Sequence, residues 1–577
     1  MKLRSHARKG RTAPVPVMAA GGAIVFLMFC VGCGQPARPL VVAPRPPPAA
    51  PASPVVFRDV APFAGLEFKY DHHPEADYRA ILESLGGGVA MIDYDADGQF
   101  DLSFPGGGLY GSEKTLRGLP LGLFRNRGEW KFEPVSTLAR TDTPRHYSHG
   151  AAVGDYDRDG FPDLLVTGYG GLQLWHNLGD GTFLEVQDAA GLSDRLWSTS
   201  AGWGDINGDG ELDLYVVHYV NWSFENNPAC PSQQDPGERD ICSPKEFEPL
   251  PDTLYINQGN GTFRDGSKEA GLRTDGKGLG VVLADLDEDS DVDVFVANDT
   301  TANFLYLNDG LGKLSEVGEV SGAAASASGS MDGSMGVDVC DFNRDGLPDL
   351  FVANFESEDF ALYRNVGQAQ FEHDSRRAGI SAVGTAQVAF GTQCGDLDLD
   401  GDNEILVANG HTSLFPIFSE RRQKPILFWY DVGAFHAVKD GAGNYLDMPH
   451  LGRGLALGDL DGDGDLDAAI SHLEEPVALL RNDQNAGNSW LAIRLIGVRS
   501  HRDAIGTRVV LHTSRGDQEA QRCGGRSYLS SPENLIRFGI PAGDSIRGLT
   551  IHWPRGTVQE LPPPKLDAEL TVVEPSN

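Results

Sequence analysis

Seven stretches of the chain place oxygen-bearing side chains at positions 1, 3, 5 and 9 of a short loop whose position 6 is a turn residue. In order they are Asp93, Asp95, Asp97 and Asp101; Asp155, Asp157, Asp159 and Asp163; Asp205, Asn207, Asp209 and Asp213; Asp285, Asp287, Asp289 and Asp293; Asp341, Asn343, Asp345 and Asp349; Asp396, Asp398, Asp400 and Glu404; and Asp459, Asp461, Asp463 and Asp467. Hard oxygen donors crowded at this spacing suit a hard cation, and calcium takes about six to eight of them. The expected cofactor is therefore Ca2+, up to seven ions, in a structural role. Asn207 and Asn343 keep an oxygen but lose a charge, which points to weaker or more selective sites. Glu404 is one methylene longer than Asp and still within reach. Ser290 replaces the turn glycine, making the fourth loop the weakest candidate.

An EF-hand shares the acidic 1, 3, 5 pattern and the glycine, but it needs a Glu at position 12 and helices on both sides. Here position 9 is acidic and the flanks are strand-like. Acidic turns without metal are the bland reading, and seven copies in register argue against it. The loops also explain the charge. They hold 26 of the 82 acidic side chains, so of the formal net charge of -35 only about -9 lies elsewhere.

Elements of strand length must position these loops. Successive loops start 62, 50, 80, 56, 55 and 63 residues apart, a period that marks a repeat protein. The fifth unit shows the grammar: an apolar run ending at Cys340, the acidic loop, then 349–354, 360–365 and 370–374, each bounded by Gly, Asn or Asp. Four strands per unit describe a propeller blade. The third strand recurs as Leu174-Trp-His-Asn177, Leu254-Tyr-Ile-Asn257, Leu305-Tyr-Leu-Asn308 and Leu479-Leu-Arg-Asn482. Phe57-Arg-Asp-Val60 is a fourth-strand element with no blade before it, and the seventh unit lacks one. The expected fold is all-β: a seven-bladed β-propeller over residues 55–485, closed by its N-terminal strand, then a small all-β domain over 486–577.

Residues 1–33 read as an export signal, with a basic start, an apolar stretch from Val15 to Val31, and small residues before Cys33. This resembles a bacterial lipoprotein signal with Cys33 as the lipidated residue, although Cys30 stands where such signals carry leucine. An uncleaved anchor and an ordinary cleaved signal are the alternatives. All three export the chain, to an outer membrane or cell surface by a lipid anchor or into the medium. Residues 34–54 are Pro- and Ala-rich and read as a tether. Two insertions break the period, about 221–251 in the third unit and 411–424 in the sixth. Cys230 and Cys242 in the first are expected to form a disulfide, whereas Cys340 and Cys394 read as buried small hydrophobes.

The acidic loops and their flanking strands resemble the FG-GAP, or VCBS-like, repeats of integrin α-subunit heads. The tail, through Asn488-Ser-Trp490, Arg502-Asp-Ala-Ile-Gly506, Gly524-Gly-Arg-Ser-Tyr-Leu529 and Trp553-Pro-Arg-Gly556, is similar to the ASPIC/UnbV domain. Together they resemble bacterial members of the cartilage acidic protein family. The resemblance implies calcium at the loops, with a main-chain carbonyl at position 7 joining the side chains, and an extracytoplasmic location. It implies no enzymatic activity.

Catalysis would have to come from residues outside the loops. His72, His73, His146, His149, His411, His436 and His450 are candidates, but none has HExxH spacing and no Gly-x-Ser-x-Gly elbow occurs. Gly86-Gly-Gly88 and Gly106-Gly-Gly108 lack the features of a phosphate cradle and are expected to be tight strand turns. Arg515-Gly-Asp517 is expected to be a hairpin turn rather than a recognition tripeptide. The acidic balance and the lack of a basic stripe disfavour nucleic acid. Two functional classes remain: a surface-displayed module binding an extracellular protein or polysaccharide, and an exported enzyme or accessory subunit acting on polysaccharide, with its site in the central channel or the inserted loops.

Overall fold

A computed structural model describes residues 55–576 other than 382, 440 and 485. The signal, the lipidation expected at Cys33 and the tether lie outside the described residues. Seven four-stranded antiparallel sheets form the propeller. Their innermost strands are Ala90–Ile92, Tyr147–Gly154, Ser198–Gly204, Gly278–Ala284, Val337–Cys340, Ala389–Gly395 and Gly452–Gly458. Each packs against the innermost strands on either side, and the seventh packs against the first, so the ring is closed. Gly, Ala and Ser recur in these strands because they crowd around the axis, buried on both faces.

Closure runs through the N-terminus. Phe57–Asp59 is the outer strand of the seventh blade, with Phe57 opposite Asn482 and Asp59 opposite Leu480. Phe57 is buried with Leu455, Leu457 and Leu480 in a core shared with the sixth blade. Blades cohere through such shared cores. Val281, Leu283 and Val294 of the fourth blade, for example, pack with Tyr215, Val217 and Leu254 of the third.

The tail folds into two sheets. Ser489–Ile496 lies between Ile536–Ile540 and Ala568–Val573, parallel to the latter. Arg508–Thr513 and Ile546–His552 form the centre of the other, edged by Asp517–Gln521 and Val558–Leu561. Leu491, Ile493, Val509, Leu511, Phe538, Ile551 and Trp553 fill the space between the sheets. The two edge strands, Asp-Gln-Glu-Ala-Gln and Val-Gln-Glu-Leu, carry no apolar alternation. Polar edges discourage pairing with other chains, and they also hide the strand from a hydrophobicity reading. Arg515-Gly-Asp517 lies at the turn into the first of them, as expected of a hairpin.

Between Asp517–Gln521 and Ile536–Ile540 the tail sends a segment into the propeller axis. Gly524 pairs with Leu283, Ser527 with Val337 and Ser531 with Ala90. The Ala151 N–H donates to Leu529 O at 3.0 Å, and the Leu529 N–H donates to Ser200 Oγ at 3.0 Å. Tyr528 and Leu529 are wholly buried among Tyr70, Tyr147, Trp197, Met335 and Phe390. This corrects the reading of Gly86-Gly-Gly88 as a strand turn. A Cβ at Gly88 would overlap Leu529 O, so glycine is required there for the close approach of the two backbones. From the other end, Ile81–Ser84 and the third-blade insertion close over the same aromatic cluster. The axis is filled with protein, which removes the central channel as a place for a substrate.

Candidate metal centres

Each acidic loop links the first two strands of a blade, and all seven are built alike. The position 1 carboxylate accepts from the N–H of position 6: Asp93 from Gly98, Asp155 from Gly160, Asp205 from Gly210, Asp341 from Gly346, Asp396 from Gly401 and Asp459 from Gly464, at 2.8–3.1 Å. In the fourth loop the Ser290 N–H reaches Asp285 at 3.0 Å with φ at 76°, so serine takes the left-handed turn that glycine takes elsewhere. That conformation costs a non-glycine residue about 1–2 kcal/mol. The position 5 carboxylate accepts from position 7, as in Asp97 to Gln99 and Asp463 to Asp465, both at 3.0 Å. These bonds fold the loop so that its carboxylates converge.

Position 9 opens the second strand and is buried. Asp101, Asp163, Asp213, Asp293, Asp349 and Asp467 each accept from the N–H of position 2 and from the N–H of an asparagine ending the third strand. That asparagine recurs at the end of the third strand in six of the seven blades and acts as a structural clamp. Its Nδ2 donates to the position 2 carbonyl of the preceding blade's loop: Asn126 to Leu460, Asn177 to Tyr94, Asn257 to Tyr156, Asn308 to Ile206, Asn365 to Leu286 and Asn482 to Leu397, at 2.8–2.9 Å. Its recurrence at one register was the available signal. The sixth blade has Tyr430 at that place, where the N–H alone meets Glu404 at 3.4 Å.

One carboxylate oxygen each from Asp93, Asp95 and Asp101, from Asp155, Asp157 and Asp163, and from Asp285, Asp287 and Asp289 lies within 4.8 Å of its companions. Asp155 Oδ1 and Asp396 Oδ1 are buried without a hydrogen-bond partner. Burial pushes Asp101, Asp213 and Asp349 up to about 8 and Asp163 up to about 7. Burial and neighbouring carboxylates raise Asp396 and Glu404 as well. An all-oxygen donor set with buried, unsatisfied carboxylates fits a hard divalent cation.

The loops differ in what already faces them. Arg125 lies 2.5 Å from Asp95 and 3.0 Å from Asp97. His176 is 3.1 Å from Asp163. The Asn207 and Asn343 amides donate to Asp209 and Asp345 at 2.9 Å, so a cation there must displace an internal hydrogen bond.

The candidate histidines form no common site, although His450 lies with His472 and Glu475, one ligand atom of each within 4.8 Å of the others. His149 is wholly buried beside the axis, its Nδ1 within 3.0 Å of Tyr70 Oη and 2.8 Å of Gly86 O, and burial lowers it to about 4. His72 and His146 are likewise lowered to about 4 by burial. His411 meets Glu356 at 3.1 Å, His450 meets Glu475 at 3.2 Å, and His436 lies on the outer strand of the sixth blade. In the third-blade insertion Cys230 and Cys242 are joined, their Cα atoms 5.3 Å apart. Cys340 and Cys394 are free.

On this fold and these loops, the chain is an FG-GAP-repeat propeller protein with an ASPIC/UnbV tail. The FG-GAP-like repeat family matches residues 155–216, 240–296, 285–352 and 341–407, and the ASPIC and UnbV family matches 497–577. The combination supports its place beside the cartilage acidic proteins. It is 24% identical to cartilage acidic protein 1 of Mus musculus over 516 residues, covering 83% of this chain and 72% of that protein. The Homo sapiens protein is 24% identical over 510 residues, covering 83% and 70%. Among solved structures, the BP39L lectin from Burkholderia pseudomallei aligns with a TM-score of 0.37 and 11% identity over 70% of this chain and 97% of that one. At that level nothing about its ligand carries over.

Proposed function

We propose that the protein is an exported, calcium-stabilised binding module whose ligand face is the side of the ring opposite the acidic loops. The observation that carries this reading is the division of labour between the two faces. The tail domain covers the loop face, while the opposite face is assembled from inserted segments that the propeller itself does not need. The insertions interlock there. The Leu414 N–H donates to Asp240 at 2.8 Å, Ser413 bonds the same carboxylate, and Gln234 reaches Pro416 O. Their tip exposes Ile417 and Phe418, at 44% and 74%. Exposed apolar side chains on a braced loop suit a protein partner better than a polysaccharide.

The loop residues from Asp93 to Asp467 would hold Ca2+, which supplies positive charge among buried carboxylates and ties the first two strands of each blade together. Filling of the axis weighs against the polysaccharide-enzyme alternative. Binding of the full chain to envelope or matrix protein fractions, compared with an Ile417→Ser/Phe418→Ser variant, tests the face. Equal capture by both would refute it.

A further inference from the structure

The tail reaches the acidic loops by hydrogen bonds, and it reaches five of the seven. At loop two the Asp155 N–H donates to Asp503 Oδ2 at 3.0 Å. At loop three Arg555 Nη2 donates to Gly208 O at 3.1 Å. At loop four Gln521 clasps Asp285, accepting from its N–H at 3.1 Å and donating to its carbonyl at 2.9 Å. At loop six the Gly539 N–H donates to Asp396 Oδ2 at 3.0 Å, and Asn488 Nδ2 donates to Asp398 O at 2.9 Å. At loop seven the Asp459 N–H donates to Glu533 Oε2 at 3.2 Å. The same segment carries Tyr528 and Leu529 into the axis.

We propose that calcium at the loops controls docking of the tail, so that the ASPIC/UnbV domain is a calcium-dependent plug whose release opens the propeller axis. The inference rests on the reading of the loops as calcium sites. Its physical basis is the loop backbone, whose N–H and C=O groups the tail grips at Asp155, Gly208, Asp285, Asp398 and Asp459. The carboxylates of Asp503 and Glu533 arrive with arginines of the tail beside them: Arg502, 3.6 Å from Asp155, with Arg522 facing Asp503, and Arg537, 3.3 Å from Asp459 and hydrogen-bonded to Glu533. A divalent ion in each loop draws its carboxylates together and so holds the loop backbone in the conformation the tail grips. Linkage is reciprocal: if calcium strengthens docking, docking strengthens calcium binding by the same factor.

Hydrogen exchange on the full chain reads docking directly. Below the melting temperature, residues 522–534 should be protected in 2 mM Ca2+, chosen as roughly twice the upper end of weak-site dissociation constants. In EGTA they should exchange about tenfold faster or more, while the inner strand Ser198–Gly204 stays protected. Isothermal titration with CaCl2 separates the two ideas. Calcium uptake with unchanged exchange at 522–534 overturns the plug and leaves the calcium reading standing; no uptake overturns both. Gln521→Ala removes a neutral clasp on Asp285 and should weaken calcium binding about fivefold or more, within the usual range of coupling. Unchanged affinity in this variant refutes the linkage.

Discussion

The third-strand asparagines offer the sharpest test of how the ring holds together, and Asn365 is the example to change. Its side chain is wholly buried. Nδ2 donates to Leu286 O at 2.9 Å across the blade boundary and to Pro348 O at 3.2 Å within its own blade, and Oδ1 accepts from the Gly367 N–H at 2.9 Å. Asn365→Ala removes all three and leaves buried carbonyls without a donor. A net hydrogen bond is worth about 1 kcal/mol and a buried unsatisfied group costs about 1–3 kcal/mol, so the expected loss is about 3 kcal/mol. For a folded unit of this size the unfolding entropy is roughly 1 kcal/mol per kelvin, so the melting temperature should fall by about 3 °C. Urea titration in calcium should give the same loss without a change in slope. Asn260→Ala is the control: Asn260 is an exposed turn residue that accepts from Thr262 within its own turn, and its loss should cost within about 0.5 kcal/mol. If Asn365→Ala costs no more than the control, the amide is not a clamp between blades.

Calcium removal is the broader perturbation. At about 1 mM calcium, sites with dissociation constants of about 10^-4 to 10^-3 M add about 0.4–1.4 kcal/mol each, or about 3–10 kcal/mol for seven. EGTA should therefore lower the melting temperature by about 3–10 °C, and an unchanged scanning-calorimetry trace would sink the structural role. In EGTA the pH dependence follows from the buried carboxyls. Asp101, Asp213 and Asp349 stay protonated to about pH 8 when folded but ionise near 4 when unfolded, so stability is full below about pH 4 and is lost as pH rises through 8. Melting in EGTA should be higher at pH 5.5 than at pH 8, and calcium should abolish that advantage; the opposite order in EGTA would contradict the buried, cation-free carboxylate cluster. Tyr528→Ala leaves a cavity on the axis where the ring met Phe390, 5.0 Å away, and should cost about 3–5 kcal/mol by urea unfolding. Tyr528→Phe, losing only the hydroxyl bond to Leu85 O at 3.1 Å, should cost about 1 kcal/mol.

The difference between what was and was not legible in the sequence follows from range. The acidic loops are local: nine residues carry the pattern, and its seven-fold repetition specifies blade number, while the short runs between the loops give strand order and the closing role of Phe57–Asp59. The asparagine clamp was half legible. A residue recurring at the end of each third strand is visible along the chain, but its partner carbonyl lies 79 to 334 residues away in sequence, and only ring geometry brings the two together. The plug was not legible at all. Gly524-Gly-Arg-Ser-Tyr-Leu529 reads as a loop in a small β domain, and nothing local tells that Gly88, more than four hundred residues earlier, lacks a side chain to admit it.

That asymmetry bears on where function lies. Local repetition describes the scaffold, because each blade solves the same packing problem, whereas the long-range contacts that break the repetition make one face unlike the other. The tail's grip on loops two, three, four, six and seven means those five loops are not free to meet a partner while the domain is docked. On the proposed reading, recognition is then left to the irregular insertions on the other side. On the proposed reading, calcium at the repeated loops would decide when the assembly holds together, and the segments with no repeat would decide what it can touch.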